Sequence, residues 1–133
     1  MTQQLLTQYR RDLHQIPETD FDLPETLAYI RRVLEPYPCT LFSPCESTLC
    51  AYFDAGKPRT AAFRADMDAL PIAERSGCAY ASRHAGKMHA CGHDGHMAMV
   101  LALAGRVSEV LDKLPRNVLL VFQPAEETTG GAK

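Results

Sequence analysis

The feature that most constrains this chain is a nine-residue stretch from Met88 to His96, which reads Met-His-Ala-Cys-Gly-His-Asp-Gly-His. It holds one thiol, three imidazoles and one carboxylate, and an apolar pattern with helical spacing begins directly behind it. Cys91 and His93 are donors that suit a borderline-soft divalent ion such as zinc. They can face one centre only in a non-helical turn, which Gly92 favours. The stretch therefore predicts a metal-binding turn at the start of a helix, whose positive end is expected to help hold Cys91 deprotonated.

A second acidic segment, Gln123–Glu127, follows the apolar run 118–122. Cysteine and histidine alone supply too few ligands for a usual zinc site, so the two glutamates are the obvious further source. Neighbouring residues of an extended segment point in opposite directions, so we expect one glutamate to coordinate the ion and the other to act as a base toward substrate. The alternative is a redox or packing thiol at Cys91 and a solvated glutamate pair in a loop.

Two aspartates, Asp66 and Asp68, leave the apolar run 60–64 at alternate positions. If the backbone stays extended there, both carboxylates point to the same side. If it turns, they are turn-forming or capping residues, and local sequence leaves both interpretations open. Three other histidines, His14, His84 and His89, are interpreted as ordinary polar residues rather than ligands.

The periodicity predicts an α/β fold, with a mostly parallel or mixed sheet flanked by helices. Helices are expected at 3–16, at 24–34 with Pro24 in its first turn, and from 95 or 96 to 114 with Asp94 as N-cap. Strands are expected at 39–42, 48–53, 60–64 and 117–123. The nearly continuous apolar character of the last strand predicts burial on both faces.

The composition argues against nucleic acid and membranes as binding partners. A net charge of −2 gives no basic field for nucleic acid or anionic membrane, and no apolar stretch is long enough to span a bilayer. The five cysteines are odd in number and irregular in spacing, which indicates free thiols in a reducing cytoplasm rather than a disulfide framework.

Three motifs together resemble the amidohydrolase branch of the aminoacylase/carboxypeptidase metallopeptidase superfamily, which includes hippurate hydrolases and N-acyl-amino-acid amidohydrolases. They are Arg64-Ala-Asp-Met-Asp-Ala-Leu-Pro71, the stretch from Met88 to His96, and Phe122-Gln-Pro-Ala-Glu-Glu127. The resemblance implies a zinc-exopeptidase-like catalytic domain with two divalent metal ions, most often zinc or manganese, with cobalt or nickel as further options. It implies hydrolysis of the amide bond of N-acyl amino acids, with a dipeptidase or carboxypeptidase of the same superfamily as the alternative.

The resemblance also implies roles for individual residues. Cys91, His93 and Glu127 are the expected metal ligands, and Glu126 is the expected general base that activates water. Asp66 falls where related peptidases have a ligand histidine, and Asp68 falls where they have an aspartate that supports that histidine. Both are therefore expected to orient the metal ligands without binding the metal themselves.

The family places two further histidine ligands beyond the segment represented here. We therefore expect residues 1–133 to be the N-terminal part of the catalytic domain, without the lid or dimerisation domain and the C-terminal part. The expected partner is a small N-acyl amino acid, with self-association left open. The rivals from other classes are a non-enzymatic metal-binding half-domain and a thiol-redox protein that uses Cys91.

Overall fold

Helices and strands alternate along the chain. The computed structural model describes residues 2–132, and its elements in chain order are α1 (Thr2–His14), α2 (Pro24–Leu34), β1 (Thr40–Phe42), β2 (Leu49–Phe53), β3 (Thr60–Asp66), α3 (His93–Val110) and β4 (Asn117–Gln123). A short 3-10 turn, Leu111–Lys113, extends α3. The predicted α/β class with a mixed sheet is confirmed.

The four strands form one sheet in the order β1-β2-β4-β3. β4 pairs antiparallel with β2 and parallel with β3, so the sheet is mixed. β3, α3 and β4 together make a strand–helix–strand unit whose two strands are adjacent and parallel. Such a unit brings the carboxyl ends of both strands to the same edge of the sheet, next to the start of the connecting helix.

A carboxylate from outside α2 caps that helix. Pro24 has no N–H to leave unsatisfied in the first turn. The side chain of Glu18 is buried and accepts the backbone N–H groups of Glu25 and Thr26 at 3.1 and 2.7 Å. A negative charge is favoured at this end of a helix because the free N–H groups and the macrodipole both point at it. The segment before α2 is thus tied to the helix rather than being a loose linker.

The hydrophobic core lies between α3 and the sheet. Alternate residues of β4 are buried there: Val118, Leu120 and Phe122. α3 packs on β3 and β4, and α1 and α2 pack on α3. Leu119 and Val121, on the opposite face of β4, are only half-buried. The predicted burial on both faces is therefore only partly met, because the second face of this strand is half-buried.

Most predicted bounds agree with the structure, and the start of α3 does not. β4 is found at the predicted residues, while β3 runs on past Arg64 to Asp66. α3 begins at His93, with Gly92 as its N-cap, so Asp94 is not the cap and lies inside the first turn. Among residues 2–132, no helix combines the length and apolar character that a membrane crossing requires.

The core position of Leu101 gives a direct test of the packing. Leu101 is fully buried in α3, whereas Met99 on the same helix is 54% exposed. We expect Leu101→Ala to lower the free energy of unfolding by about 2–5 kcal/mol, since it leaves a cavity under the sheet. Urea unfolding measures the change, and Met99→Ala is the matched control with an expected change within about 0.5 kcal/mol. Equal effects of the two substitutions would contradict the described packing.

Candidate metal and catalytic site

The candidate site lies at the edge where β3 and β4 end. Asp66 is paired with Gln123 in the last register position of the two parallel strands. The N–H of Met67 donates to the carbonyl oxygen of Gln123 at 2.9 Å, so the pairing continues one step further. The first residue of α3, His93, reaches the same edge, because its Nδ1 donates to the carbonyl oxygen of Asp68 at 2.7 Å. Three segments that are distant in sequence therefore meet here.

Asp68 joins these segments through its carboxylate. It is 1% exposed, and its two oxygens accept the backbone N–H groups of Glu126 at 3.0 Å and Glu127 at 2.9 Å. Burial opposes ionisation, but the hydrogen bonds from His93 and from these two N–H groups hold the pKa of Asp68 below its usual value. Asp68 thus holds the main chain of the glutamate pair in place.

His93 is the centre of the site. Because Nδ1 is bound to a carbonyl oxygen, Nε2 is left to face the carboxylates. Nε2 lies 3.3 Å from Asp66 Oδ2, 3.4 Å from Glu127 Oε1 and 3.9 Å from Glu126 Oε2. Burial disfavours a charged ring, yet the hydrogen bond to Asp68 and the charge of Asp66 outweigh it and raise the pKa of His93 to about 9. The surroundings therefore favour a positive charge at this nitrogen.

Cys91 approaches His93 through the turn at Gly92. Gly92 has a φ of +129°, a backbone conformation that side-chain-bearing residues rarely adopt, so the glycine is required here. One donor atom each from Cys91, His93 and Glu127 lie within 4.8 Å of one another. A hydrogen bond to Glu127, with partial burial and the neighbouring carboxylates, raises the pKa of the Cys91 thiol to about 11. The expectation that the helix end lowers this pKa is wrong, because the carboxylates dominate.

The glutamate pair lies in a turn rather than in the extended segment that the sequence predicted. Ala125 has a φ of +56°, and the carbonyl oxygen of Ala125 accepts the N–H of Gly130 at 2.8 Å, which closes the turn. The two carboxylates lie at different distances from Nε2 of His93, 3.4 Å for Glu127 and 3.9 Å for Glu126. Glu127 is the nearer and is 23% exposed, whereas the side chain of Glu126 is 41% exposed.

A buried oxygen atom of Glu127 indicates that a cation binds at this site. Glu127 Oε1 is shielded from solvent and has no hydrogen-bond partner among residues 2–132. Its contact with Nε2 of His93, at 3.4 Å, does not have hydrogen-bond geometry. A buried carboxylate oxygen without a hydrogen bond is costly, and a positive ion held between it, the thiol and the imidazole would satisfy it. Sulfur, nitrogen and carboxylate oxygen are a donor set that zinc accepts. The residues present therefore fit a divalent metal ion.

His96 is a member of the site to which the sequence analysis gave no role. Its Nδ1 lies 2.7 Å from Asp66 Oδ1, and its ring stacks on that of His93 with 5.6 Å between centroids. Asp66, His93 and His96 form a second group whose donor atoms lie within 4.8 Å of one another. The signal in the sequence is the spacing of the two histidines, since residues three apart share a helix face.

A buried polar network fixes α1 to the first turn of α3. His14, 2% exposed, contacts Asp94 Oδ2 through Nδ1 at 2.8 Å and Glu74 Oε1 through Nε2 at 3.0 Å. Arg10 Nε also reaches Asp94 Oδ2, at 2.9 Å. The other oxygen of Asp94 accepts the N–H of Gly95 at 2.9 Å. His14 is thus a buried, hydrogen-bonded residue as expected, and the network holds Asp94, the neighbour of His93.

The remaining two histidines differ from each other. His84 lies in the loop, where its Nδ1 donates to the carbonyl oxygen of Pro17 at 2.7 Å and its Nε2 lies 2.7 Å from Glu25. His89 is buried, and neither ring nitrogen has a hydrogen-bond partner among residues 2–132. Burial lowers the pKa of His89 to about 4, which keeps the ring neutral. His89 thus lies in the loop that precedes α3, and its ring is buried there rather than exposed.

Comparisons with known proteins show which family the chain resembles. Residues 62–133 match the sequence pattern of peptidase family M20/M25/M40. An uncharacterized hydrolase of Staphylococcus haemolyticus is 45% identical over 131 residues, which are 97% of this chain and 34% of that protein. The chain thus spans about a third of the length of the curated relatives that it matches.

Two solved structures resemble the chain over nearly all of its length. A dinuclear metal-binding peptidase of the M20 family from Bacillus subtilis has a TM-score of 0.88 and 38% identity, over 95% of this chain and 36% of that one. An aminobenzoyl-glutamate utilization protein from Klebsiella pneumoniae has a TM-score of 0.75 and 27% identity, over 98% of this chain and 40% of that one.

The buried network predicts a specific dependence of stability on pH. Burial opposes ionisation of Glu74, but Ser76, the N–H of Ser82 and His14 together lower its pKa to about 2. A lowered carboxyl pKa gives stability that is fully present above the unfolded value of 4.5 and is lost as the pH falls toward 2. We therefore expect the stability difference between the unsubstituted chain and Glu74→Gln to shrink over that interval.

Urea unfolding at a series of pH values measures this difference. Glu109→Gln is the matched control, because Glu109 is 67% exposed in a surface pair with Arg106. A difference for Glu74→Gln that stays constant down to pH 2 would contradict the network.

Proposed function

Since the chain belongs to peptidase family M20/M25/M40, we propose that it is the N-terminal part of the catalytic domain of a metal-dependent hydrolase that cleaves the amide bond of N-acyl amino acids. The observation that carries the proposal is the convergence of Cys91, His93 and Glu127, with donor atoms within 4.8 Å of one another and a buried oxygen of Glu127 without a partner among residues 2–132. A thiol, an imidazole and a carboxylate from distant segments meet there in a way that packing alone does not require.

In this proposal, Cys91, His93 and Glu127 hold a divalent ion, with zinc or manganese as the first choices and cobalt or nickel as further options. Asp66 adds negative charge beside the ion, since its Oδ2 lies 3.3 Å from Nε2 of His93, the nitrogen that would bind the ion. Asp68 supports His93 and the glutamate turn through hydrogen bonds. Hydrogen bonds of this kind fix the orientation of a ligand ring and raise its basicity. A second ion, as in the dinuclear relative, would need ligands in addition to these three.

Glu126 is the proposed general base. Its carboxylate is the more exposed of the pair and lies 3.9 Å from His93 Nε2, so it borders the site without being closest to its centre. A divalent ion, when bound, supplies polarisation of the amide carbonyl and a lower pKa of water. Glu126 takes the proton of the attacking water and returns it to the leaving amine. The backbone N–H of Glu126 donates to Asp68 Oδ1 at 3.0 Å, which fixes the main chain at the proposed base.

The N-acyl amino acid substrate is supported by the Cys-Gly-His form of the motif and by the name of one relative. Aminobenzoyl-glutamate, in the name of the Klebsiella pneumoniae protein, is itself an acyl group in amide linkage to an amino acid. Hydrolysis of such an amide releases a carboxylic acid and a free amino acid. The proposed partners are accordingly small molecules.

Two neighbouring substitutions separate the base from the ligand. The assay uses a chimera in which this chain replaces the matching third of the Staphylococcus haemolyticus relative, and it follows hydrolysis of N-acetyl and N-benzoyl amino acids beside dipeptides. We expect Glu126→Gln to lower kcat by about 10²–10⁴-fold with metal affinity unchanged. Glu127→Gln is expected to lower metal affinity by at least about tenfold.

Glu46→Gln, at an exposed position outside the site, is the control and should change neither quantity. Full hydrolysis by Glu126→Gln would contradict the role of Glu126 as base. Faster cleavage of dipeptides than of N-acyl amino acids would contradict the substrate class and leave the metal site standing.

Asp68 offers a further test of the proposed support. Asp68→Asn keeps the shape of the side chain and removes the charge that the N–H groups of Glu126 and Glu127 face. We expect the metal affinity to fall by about 10–100-fold, as is typical when a residue that is hydrogen-bonded to a metal ligand is changed. Calorimetric titration with Zn²⁺ measures it, with the exposed Asp112→Asn as control. Unchanged affinity in a folded Asp68→Asn chain would contradict the role of Asp68.

A further inference from the structure

His93 is shared by two different groups of candidate metal donors. One group is Cys91, His93 and Glu127, and the other is Asp66, His93 and His96. In each group the donor atoms lie within 4.8 Å of one another. The Nδ1 of His93 is occupied by its hydrogen bond to the carbonyl oxygen of Asp68 at 2.7 Å. Only Nε2 remains to bind an ion, and a single nitrogen lone pair binds a single ion.

The second group is arranged around one carboxylate. Asp66 directs Oδ1 at Nδ1 of His96, at 2.7 Å, and Oδ2 at Nε2 of His93, at 3.3 Å. The two rings are stacked at 28° between planes, and their residues lie three positions apart in the first turn of α3. Asp66 is 4% exposed and His93 is 2% exposed, so two of the three donors are held by the fold. His96 is half-exposed and completes the group from the open side.

The two groups differ in the ions that they prefer. A thiolate selects softer ions such as zinc and cadmium, whereas two imidazoles and one carboxylate, without sulfur, suit harder ions such as Mn²⁺ or Fe²⁺. Arg64 opposes binding at the second group, because its Nη1 lies 3.5 Å from Asp66 Oδ2 and partly neutralises that carboxylate. The guanidinium is half-exposed and can move toward solvent.

We propose that Asp66, His93 and His96 form a second metal site for a harder ion such as Mn²⁺, and that it excludes the site at Cys91 because both need Nε2 of His93. The softness of the ion then decides which of the two donor groups holds it. The inference rests on the proposed function, since it takes the site at Cys91 from there. It goes beyond that function by assigning a ligand role to His96 and a limit of one ion for the two groups.

Cadmium and manganese are the probes, each added to the 133-residue chain. Cd²⁺ is followed by the ultraviolet absorption of the cadmium–thiolate bond, and Mn²⁺ by loss of the free-ion signal in electron paramagnetic resonance. Cys91→Ser should abolish the cadmium absorption and leave Mn²⁺ affinity unchanged. His96→Gln should lower Mn²⁺ affinity by at least about tenfold and leave the cadmium absorption intact. Asp66→Asn should also lower Mn²⁺ affinity by at least about tenfold. Arg64→Gln should raise Mn²⁺ affinity.

Competition between the ions tests the exclusion itself. One equivalent of Cd²⁺ should block Mn²⁺ binding in the unsubstituted chain and should not block it in Cys91→Ser. Simultaneous binding of both ions would overturn the exclusion and leave the site at Cys91 intact. Unchanged Mn²⁺ affinity in both His96→Gln and Asp66→Asn, with folding verified by circular dichroism, would overturn the second site. Absence of cadmium–thiolate absorption in the unsubstituted chain would overturn the site at Cys91 and the proposed function with it.

Discussion

The hydrogen bonds of Asp68 are the interaction on which the rest of the site depends. Its carboxylate accepts two backbone N–H groups from the glutamate turn, and its carbonyl oxygen accepts the Nδ1–H of His93. Hydrogen bonds to a charged group contribute about 1.5–3 kcal/mol each, and more is lost when a buried charge is left without them. Asp68 therefore joins the end of β3, the start of α3 and the segment after β4. The same bonds fix the tautomer of His93, so that Nε2 faces the carboxylates.

Because Asp68 holds these three segments together, negative charge is concentrated around the imidazole of His93. Asp66, Glu126 and Glu127 each place an oxygen within 3.9 Å of Nε2 of His93. The raised pKa of His93 and the buried oxygen of Glu127, which has no hydrogen-bond partner among residues 2–132, are two results of that concentration. Both indicate a place that favours positive charge. The raised pKa of Cys91 has the same origin, and it argues against the thiol-redox alternative, which requires a thiolate without a metal.

Sequence reasoning predicted this convergence because it depends on local patterns that the fold preserves. The apolar strands, the helix behind the histidines and the rule that parallel strands end at one edge are enough to bring Asp66, Asp68 and the glutamate pair together. The start of α3 was misplaced by two residues, because Gly92 adopts a φ that lets His93 open the helix. The pKa of Cys91 was predicted in the wrong direction, because carboxylates from other segments outweigh a helix end.

Contacts between distant parts of the chain are what periodicity cannot predict. His14 and Asp94 are 80 residues apart and carry no shared pattern, yet their hydrogen bond ties α1 to the residue that follows His93. That side of the site is buried and held by the hydrogen bond between His14 and Asp94, whereas Cys91, His96 and Glu126 are exposed on the other side. A metal ligand gains from a fixed position, and a general base gains from access to water. The burial of His93 and the exposure of Glu126 therefore match the different tasks proposed for these two residues.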